Sequence, residues 1–414
     1  MTGRAGDLGR RGDPGMAEAT AVRSRRPANR RELIVEAAAA LFADRGFEFV
    51  SVGDIAEQVG VGPSALYRHF AGKDELLGAA VDHALDRFAD ALGSVTADAD
   101  VRRRTVDAVA RFALDHRSAA VLWDREARNL PPDSFAARAH RLAGLRNTFV
   151  QAVGGAGAAP VSAERLAARM ALAILLSPAF HHGVLPPAKF RSLLAETAFS
   201  VLEARVTVSA PSTPPTPPAG LSRGTKREQI LQAALRIFAE QTYAGTGMTE
   251  IAAAVGLSPS SIYNYFGTKA EILLEALQRG NGHLQITLDD ALREAVDEAA
   301  ALRRLVAVYA TFAVRHTAFV DALVTEMRSL GDQAEPLIQA QRDYVGEWVR
   351  LCVATRRELD EPRAQIVVQA VLMAVNEIAR ERTLGQAPGI DVALTELVTT
   401  ALITPSTKGL RNAE

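Results

Sequence analysis

Two stretches of the chain end in the same array of side chains: residues 63–73 read PSALYRHFAGK and residues 259–269 read PSSIYNYFGTK. Small residues come first, then a tyrosine and further long donors, then phenylalanine and, three positions on, lysine. Such a set suits a DNA duplex, because long donors hold phosphates while small side chains let a helix tip approach the base edges. The array needs a rigid support, and the residues before it supply one. Ile34, Ala37, Ala38, Leu41 and Phe42 form one apolar helical stripe, repeated by Ile230, Ala233, Ala234, Ile237 and Phe238. Gly46 permits a left-handed stop, Ser51 is a good N-cap for a short helix to Val59, and Gly60 ends that helix. Pro63 then opens the next helix at a position that tolerates proline. A further helix is expected near Asp74, with Lys73 at its edge. Two short helices joined by a tight glycine turn make a helix-turn-helix, whose second helix enters the major groove.

Residues 30–77 and 226–273 align without a gap at an offset of 196, with 18 of 48 positions identical. The likeness continues: 111–130 pairs with 311–330 at offset 200 through Phe112/Phe312, Ala113/Ala313, His116/His316, Glu126/Glu326, Arg128/Arg328 and Leu130/Leu330. A period near 200 is a duplicated whole protein rather than a repeat array. The four-residue shift places an insertion in the second copy between head and body.

Composition is globular, with 48% hydrophobic and 23% charged residues and a net charge of −1, so DNA binding must rest on local basic patches. Eight arginines in residues 1–31 are one such patch, read either as a phosphate-contacting arm or as a solvated leader. Cys352 is the single cysteine, which leaves no disulfide or cysteine zinc site within one chain and suits a cytoplasmic location. No secretory leader or membrane span is expected; MALAILLSPAF at 170–180 is too short to cross a bilayer. Residues 207–220 carry five prolines between Pro211 and Pro218 and read as an extended linker of roughly 40 Å. Everything else has helical period. The expected fold is all-α, with two units that each join a three-helix head to a helical body. The expected boundaries are an arm at 1–29, heads at 30–77 and 221–273, bodies at 78–206 and 274–406, and a tail at 407–414.

The head segments resemble the N-terminal domain of the tetracycline-repressor (TetR) family of transcription factors. The element Tyr-x-His/Tyr-Phe-x-x-Lys, preceded by Gly-(Val/Leu)-x-Pro-Ser, carries the likeness in both copies. The resemblance implies base or phosphate contacts for Pro63, Ser64, Ala65, Tyr67, Arg68 and His69, and for Pro259, Ser260, Ser261, Tyr263, Asn264 and Tyr265. It implies a phosphate clamp for Lys73 and Lys269. Ser51 and Thr249, at the starts of the second helices, belong to the same candidate set. The competing reading for Tyr67 and Lys73 is ordinary surface, whereas Phe70 and Phe266 read as core plugs. The second head departs from the pattern. Gly247 stands where a cap is expected, with Thr246 or Thr249 as possible substitutes, and Thr242 replaces the turn glycine, so its turn should differ.

In that family the body binds a small apolar effector and its last two helices form a dimerising four-helix bundle. The sequence offers 133–153 with 162–182 and 335–356 with 362–382 as those pairs, with a kink at Pro178. Phe112, His116, Phe312 and His316 are candidate pocket residues; a capping or core histidine is the commoner role. Trp123 joins that list, although core packing is the commoner role for it and for Trp348. His181-His182 lacks the partner set of a metal site, and no metal or other cofactor is expected. No P-loop, dinucleotide fingerprint, nucleophile elbow or HExxH helix appears, so the chain does not read as an enzyme. The reading is a DNA-binding transcription regulator, by resemblance a repressor released by a small apolar effector. Its partners are an operator duplex and that effector, and its two units pair within one chain, with a homodimer of chains as the other arrangement. The rival is a small-molecule-binding or scaffold protein whose heads have lost DNA recognition.

Overall fold

A computed structural model describes residues 30–95, 100–155, 161–181, 183–208 and 224–404. The arginine-rich arm at 1–29, linker residues 209–220, His182 and the tail at 407–414 lie outside the described residues. Among the described residues there are helices and no strands.

The first unit contains α1 (Arg30–Arg45), α2 (Val52–Gln58), α3 (Pro63–Leu66), α4 (Lys73–Gly93), α5 (Val101–Asp115), α6 (Ser118–Asp124), α7 (Pro132–Val150), α8 (Ala163–Leu176) and α9 (Pro187–Glu203). The second contains α10 (Lys226–Gln241), α11 (Met248–Ala254), α12 (Lys269–Arg293), α13 (Glu298–Arg315), α14 (Thr317–Thr325), α15 (Glu335–Thr355), α16 (Glu361–Arg380), α17 (Arg382–Gly385) and α18 (Ile390–Ile403). The four inserted residues lengthen the connecting helix: α4 has 21 residues and α12 has 25. An added turn of helix extends the stem between head and body.

In each head, α1 or α10 lies against the long helix α4 or α12, and its apolar stripe makes the core. Ile34, Ala38, Leu41 and Phe42 are buried, as are Ile230, Ala233, Ala234, Ile237 and Phe238, while Ala37 is half-buried. Phe70 and Phe266 are buried beneath the heads as expected, each with an arginine over its ring: Arg31 at 4.9 Å and Arg227 at 4.2 Å.

The two bodies pack against each other through a four-helix bundle whose members differ from the sequence expectation. The bundle consists of α8 and α9 of the first unit with α16 and α18 of the second, α8 facing α16 and α9 facing α18. The expected helices at 162–182 and 362–382 take part; those at 133–153 and 335–356 do not, because the last helix of each body, α9 or α18, packs there instead. Burial on nearly all sides explains the composition of α8, where Leu166, Met170, Leu172, Ile174 and Leu175 all lie in the core. Pro178 does not kink this helix. It ends it, opening a 3-10 turn at Ser177–Ala179.

Candidate nucleic-acid interface

The first head is built around a complete cap. Ser51 Oγ accepts from the Asp54 N–H at 3.1 Å, and Asp54 Oδ2 accepts from the Ser51 N–H at 2.6 Å. The hydrogen bonds from Ser51 hold the Asp54 carboxyl below its usual range. Gly60, at φ 65°, makes the turn, and Pro63 sits in the first turn of α3. Leu66 and Phe70 anchor that short helix in the core, which leaves Pro63, Ser64, Tyr67, Arg68 and His69 exposed and Ala65 half-buried. Tyr67 and Tyr263 keep 57% and 56% of their surface, so both tyrosines are open to solvent at the same register.

The second head presents Pro259, Ser260, Tyr263 and Asn264 to solvent, with Ser261 and Tyr265 half-buried. Its recognition segment is a 3-10 turn at Ser261–Asn264 rather than an α-helix. Ser258 Oγ accepts from the Ser261 N–H at 3.1 Å and meets the Ser261 hydroxyl at 2.7 Å, which ties the serine cluster to its own backbone. No side chain caps α11. Thr246 donates instead to the Thr242 carbonyl at 2.7 Å, and Thr249 is exposed, so neither substitutes for the missing cap. The turn before it does not differ as expected. Gly46 has φ 91° and ψ 146°, and Thr242 has φ 71° and ψ 158°: the same left-handed turn is kept with a β-branched residue in it. Thr242 is the one positive-φ residue other than glycine among the described residues, at a conformation costing roughly 1–2 kcal/mol.

Both candidate clamp lysines rest on an aromatic ring. Lys73 Nζ lies 4.1 Å from the Phe47 ring centre and Lys269 Nζ 4.1 Å from that of Tyr243. Lys269 also donates to the Tyr243 carbonyl and, at 2.8 Å, to the Thr246 carbonyl. Partial burial pushes both ammonium groups down from the usual lysine range. Phe47 and Tyr243 were not singled out in the sequence, although their register four residues before the cap position is the same in both copies.

Beneath the heads, each unit holds the other. Arg128 of the first unit donates to the Phe238 and Ala239 carbonyls of the second head at 2.8 and 2.9 Å. Arg328 of the second unit donates to the Ala43 carbonyl of the first head at 3.2 Å and to the Asp44 carbonyl. Carbonyls at the ends of α1 and α10 thus receive a guanidinium from across the interface. Within the first unit, Glu126 ties the body to its own head by accepting the Phe47 N–H at 2.7 Å. Arg128 is also paired with Asp321 at 3.2 Å and Glu326 at 3.3 Å.

The seam continues inward as a line of half-buried ion pairs. Arg146 bridges Asp124 at 2.9 Å and Glu377 at 2.8 Å, Arg169 meets Glu381 at 2.8 Å, and Arg380 meets Asp321 at 2.7 Å. Burial, together with the neighbouring Glu377, pushes the Asp124 carboxyl up to about 6 against the pull of Arg146. Elsewhere, Glu32, Glu36 and His83 bring possible ligand atoms within 4.8 Å of one another, with Glu32 also paired to Arg87.

The five candidate effector residues lie elsewhere than in the apolar cavity of the second body. His116 and His316 are exposed at the C-terminal ends of α5 and α13. Phe112 and Trp123 stack at 6.2 Å in the core of the first body, and Phe312 packs against His283, His316 and Phe319. The cavity, of about 210 Å³, is lined by other residues, among them Leu284, Leu323, Tyr344 and Gln369, and by Phe180 and His181 of the first unit. Its polar members gave no sequence signal because they are scattered over four helices. Trp348 is fully buried behind it, as expected of a core residue.

The heads have helix-turn-helix geometry, and comparison with known proteins shows what they are similar to. The family model described as bacterial regulatory proteins, tetR family, matches residues 34–80 and again residues 230–276. Both heads are tetR-family domains, and the chain carries that domain in tandem. The HTH-type transcriptional activator FasR of Mycolicibacterium smegmatis is 36% identical over 92 residues, 22% of this chain and 42% of that protein. The HTH-type transcriptional repressor KstR2 of the same organism is 34% identical over 110 residues, 25% of this chain and 53% of that one. The chain thus spans about half the length of the curated relatives it matches. A solved TetR-family regulator from Bordetella parapertussis aligns with a TM-score of 0.41 at 20% identity, covering 45% of this chain and 98% of that one. No helix among the described residues is long and apolar enough to cross a membrane.

Proposed function

We propose that this chain is a sequence-specific DNA-binding transcription regulator whose two tandem units act as the two halves of one reader. The observation that carries this reading is the reciprocal fastening of the heads, Arg128 to the second head and Arg328 to the first. A helix-turn-helix pair must offer its recognition segments roughly 34–36 Å apart to enter successive major grooves, and heads tied to each other's bodies have a spacing set by the body seam. The base-facing residues are Ser64, Ala65, Tyr67, Arg68 and His69 with their counterparts Ser260, Ser261, Tyr263, Asn264 and Tyr265. Ser51, Thr249, Lys73 and Lys269 lie at the phosphate margin.

Regulation follows from the same joints. A small molecule that binds better when the bodies hold the heads at the wrong spacing shifts the population off DNA, and the regulator is then a repressor relieved by that molecule. Among the described residues no catalytic set accompanies this arrangement, and the partners are an operator duplex and a small apolar effector. The test is a gel shift on the DNA upstream of the chain's own gene, followed by selection from a genomic pool. A sequence-selective shift supports the reading. Absence of any shift with a folded chain returns the protein to the class of small-molecule-binding or scaffold proteins.

A further inference from the structure

We infer that the first head holds a metal ion: Glu32 and Glu36 of α1 and His83 of α4 are the protein ligands of a divalent transition-metal cation of the zinc type, which fastens α1 to the long helix. The inference goes beyond the DNA-binding reading and does not depend on it.

The two copies build this joint differently. In the second unit Arg279 of α12 supplies a fixed cation, bonded to Glu228 of α10 at 2.5 Å and to Glu275. At offset 196 the first unit has Glu32 for Glu228, Ala79 for Glu275 and His83 for Arg279, and Glu36 stands where the second has Gln232. Where the second joint has a permanent positive charge, the first has an imidazole, and that imidazole faces one more carboxylate. Arg87 makes up for this only in part. Its one ion pair among the described residues is with Glu32 Oε1, at 3.0 Å. Glu36 has no ion pair and His83 no hydrogen-bond partner among the described residues.

The geometry suits an ion. Glu32 and Glu36, four residues apart, share one face of α1, and His83 meets them from α4, so that one ligand atom of each lies within 4.8 Å of the others. Ligand atoms held at about 2.1 Å from one cation are at most about 4.2 Å apart. The set therefore closes with a small turn of Glu36, its exposed member. Arg87 orients Glu32 by one oxygen and leaves the other to the metal, the part an outer partner plays at such sites. Glu32 and His83 also line an open cleft of about 560 Å³, which gives a hydrated ion its way in. The donors choose the metal. One imidazole nitrogen with two carboxylate oxygens suits zinc and its neighbours, whereas magnesium and calcium take oxygen ligands.

The experiment is calorimetric titration of the untagged full chain with zinc chloride, repeated with magnesium chloride. The expected result is one zinc per chain, bound about tenfold or more tightly than magnesium, with a rise in melting temperature. Glu36→Gln together with His83→Arg copies the second joint, and it should abolish zinc binding while helical circular dichroism is kept. Glu36→Gln alone, at an exposed position, is the milder variant should the pair prevent folding, and it should weaken zinc binding by about tenfold or more. No zinc bound, magnesium bound as tightly, or zinc binding unchanged in either folded variant would each overturn the inference. A chain that binds zinc here but no DNA would leave the site standing and remove the regulator.

Discussion

The first head starts α2 with a full capping box and makes its preceding turn with Gly46; the second makes the same turn with Thr242 and starts α11 without a side-chain cap. In the bodies the contrast is of another kind. The stacked rings of the first body border an open cleft of about 850 Å³ lined by Asp124, Arg138 and Arg146, where the second body keeps a smaller, apolar cavity of about 210 Å³. A chain with its pair built in does not need two equal halves, so the two units are free to diverge. The longer α12 stem belongs to the second unit. What stays symmetric is the cross-fastening of the heads.

The joints should break unequally. Arg128 is largely buried among Asp321, Glu326 and two carbonyls, whereas Arg328 reaches its two carbonyls from an exposed position. Removing a buried partner leaves uncompensated charge, so Arg128→Ala should lower stability in denaturant unfolding by about 3–5 kcal/mol. Arg328→Ala should cost about 1 kcal/mol. Equal losses would mean that the two joints are equivalent.

The seam should also respond to acid. Asp124, with its carboxyl pushed up to about 6, contributes stability that is present below the unfolded aspartate range and is lost as pH rises from about 4 through about 6. Asp124→Asn should remove that fall, worth about 1–3 kcal/mol, and a stability profile identical to the parent's between pH 4 and 7 would exclude Asp124 as its source.

On DNA, the contrast lies in the lysines. Lys73→Ala should weaken binding similarly across sequences and reduce the salt slope by about 1. Lys269 already holds two backbone carbonyls, so Lys269→Ala should in addition lower the melting temperature of the second head. An unchanged salt slope in both variants would remove the lysines from the interface. The smallest effects are in the turns. Gly46→Ala should destabilise by about 1 kcal/mol and Thr242→Gly should stabilise by a few tenths, because only the first puts a side chain into a left-handed position and the second relieves one.

The heads were legible because their signals are local. The Ile34 stripe, the Ser51 cap, the Gly60 turn and the Phe70 plug each depend on residues a few positions apart, and duplication let every position be read twice. The bundle was misassigned because 133–153 and 335–356, the helices just before α8 and α16, read as their partners. The true partners, α9 and α18, follow α8 and α16 in the chain and are the more apolar, with Phe190, Leu194 and Val201 and Ile390, Leu394 and Leu397 among their buried residues. The cavity was not legible at all. His116 and His316 recur at the same register, yet they end helices in solvent, while Asn281, Tyr344 and Gln369 meet only when α12, α15 and α16 are brought together. The reciprocal arginines were visible as the pair Arg128/Arg328, but their reach across the interface belongs to tertiary structure.

The central claim is that one chain supplies both halves of the reader, and the most direct measurement is the mass of the complex on DNA selected from a random pool, combined with its footprint. One chain per duplex is expected, protecting two unlike half-sites about one helical turn apart, because Ala65, Arg68 and His69 stand where the second head has Ser261, Asn264 and Tyr265. A symmetric consensus, or two chains on one site each using a single head, would contradict it.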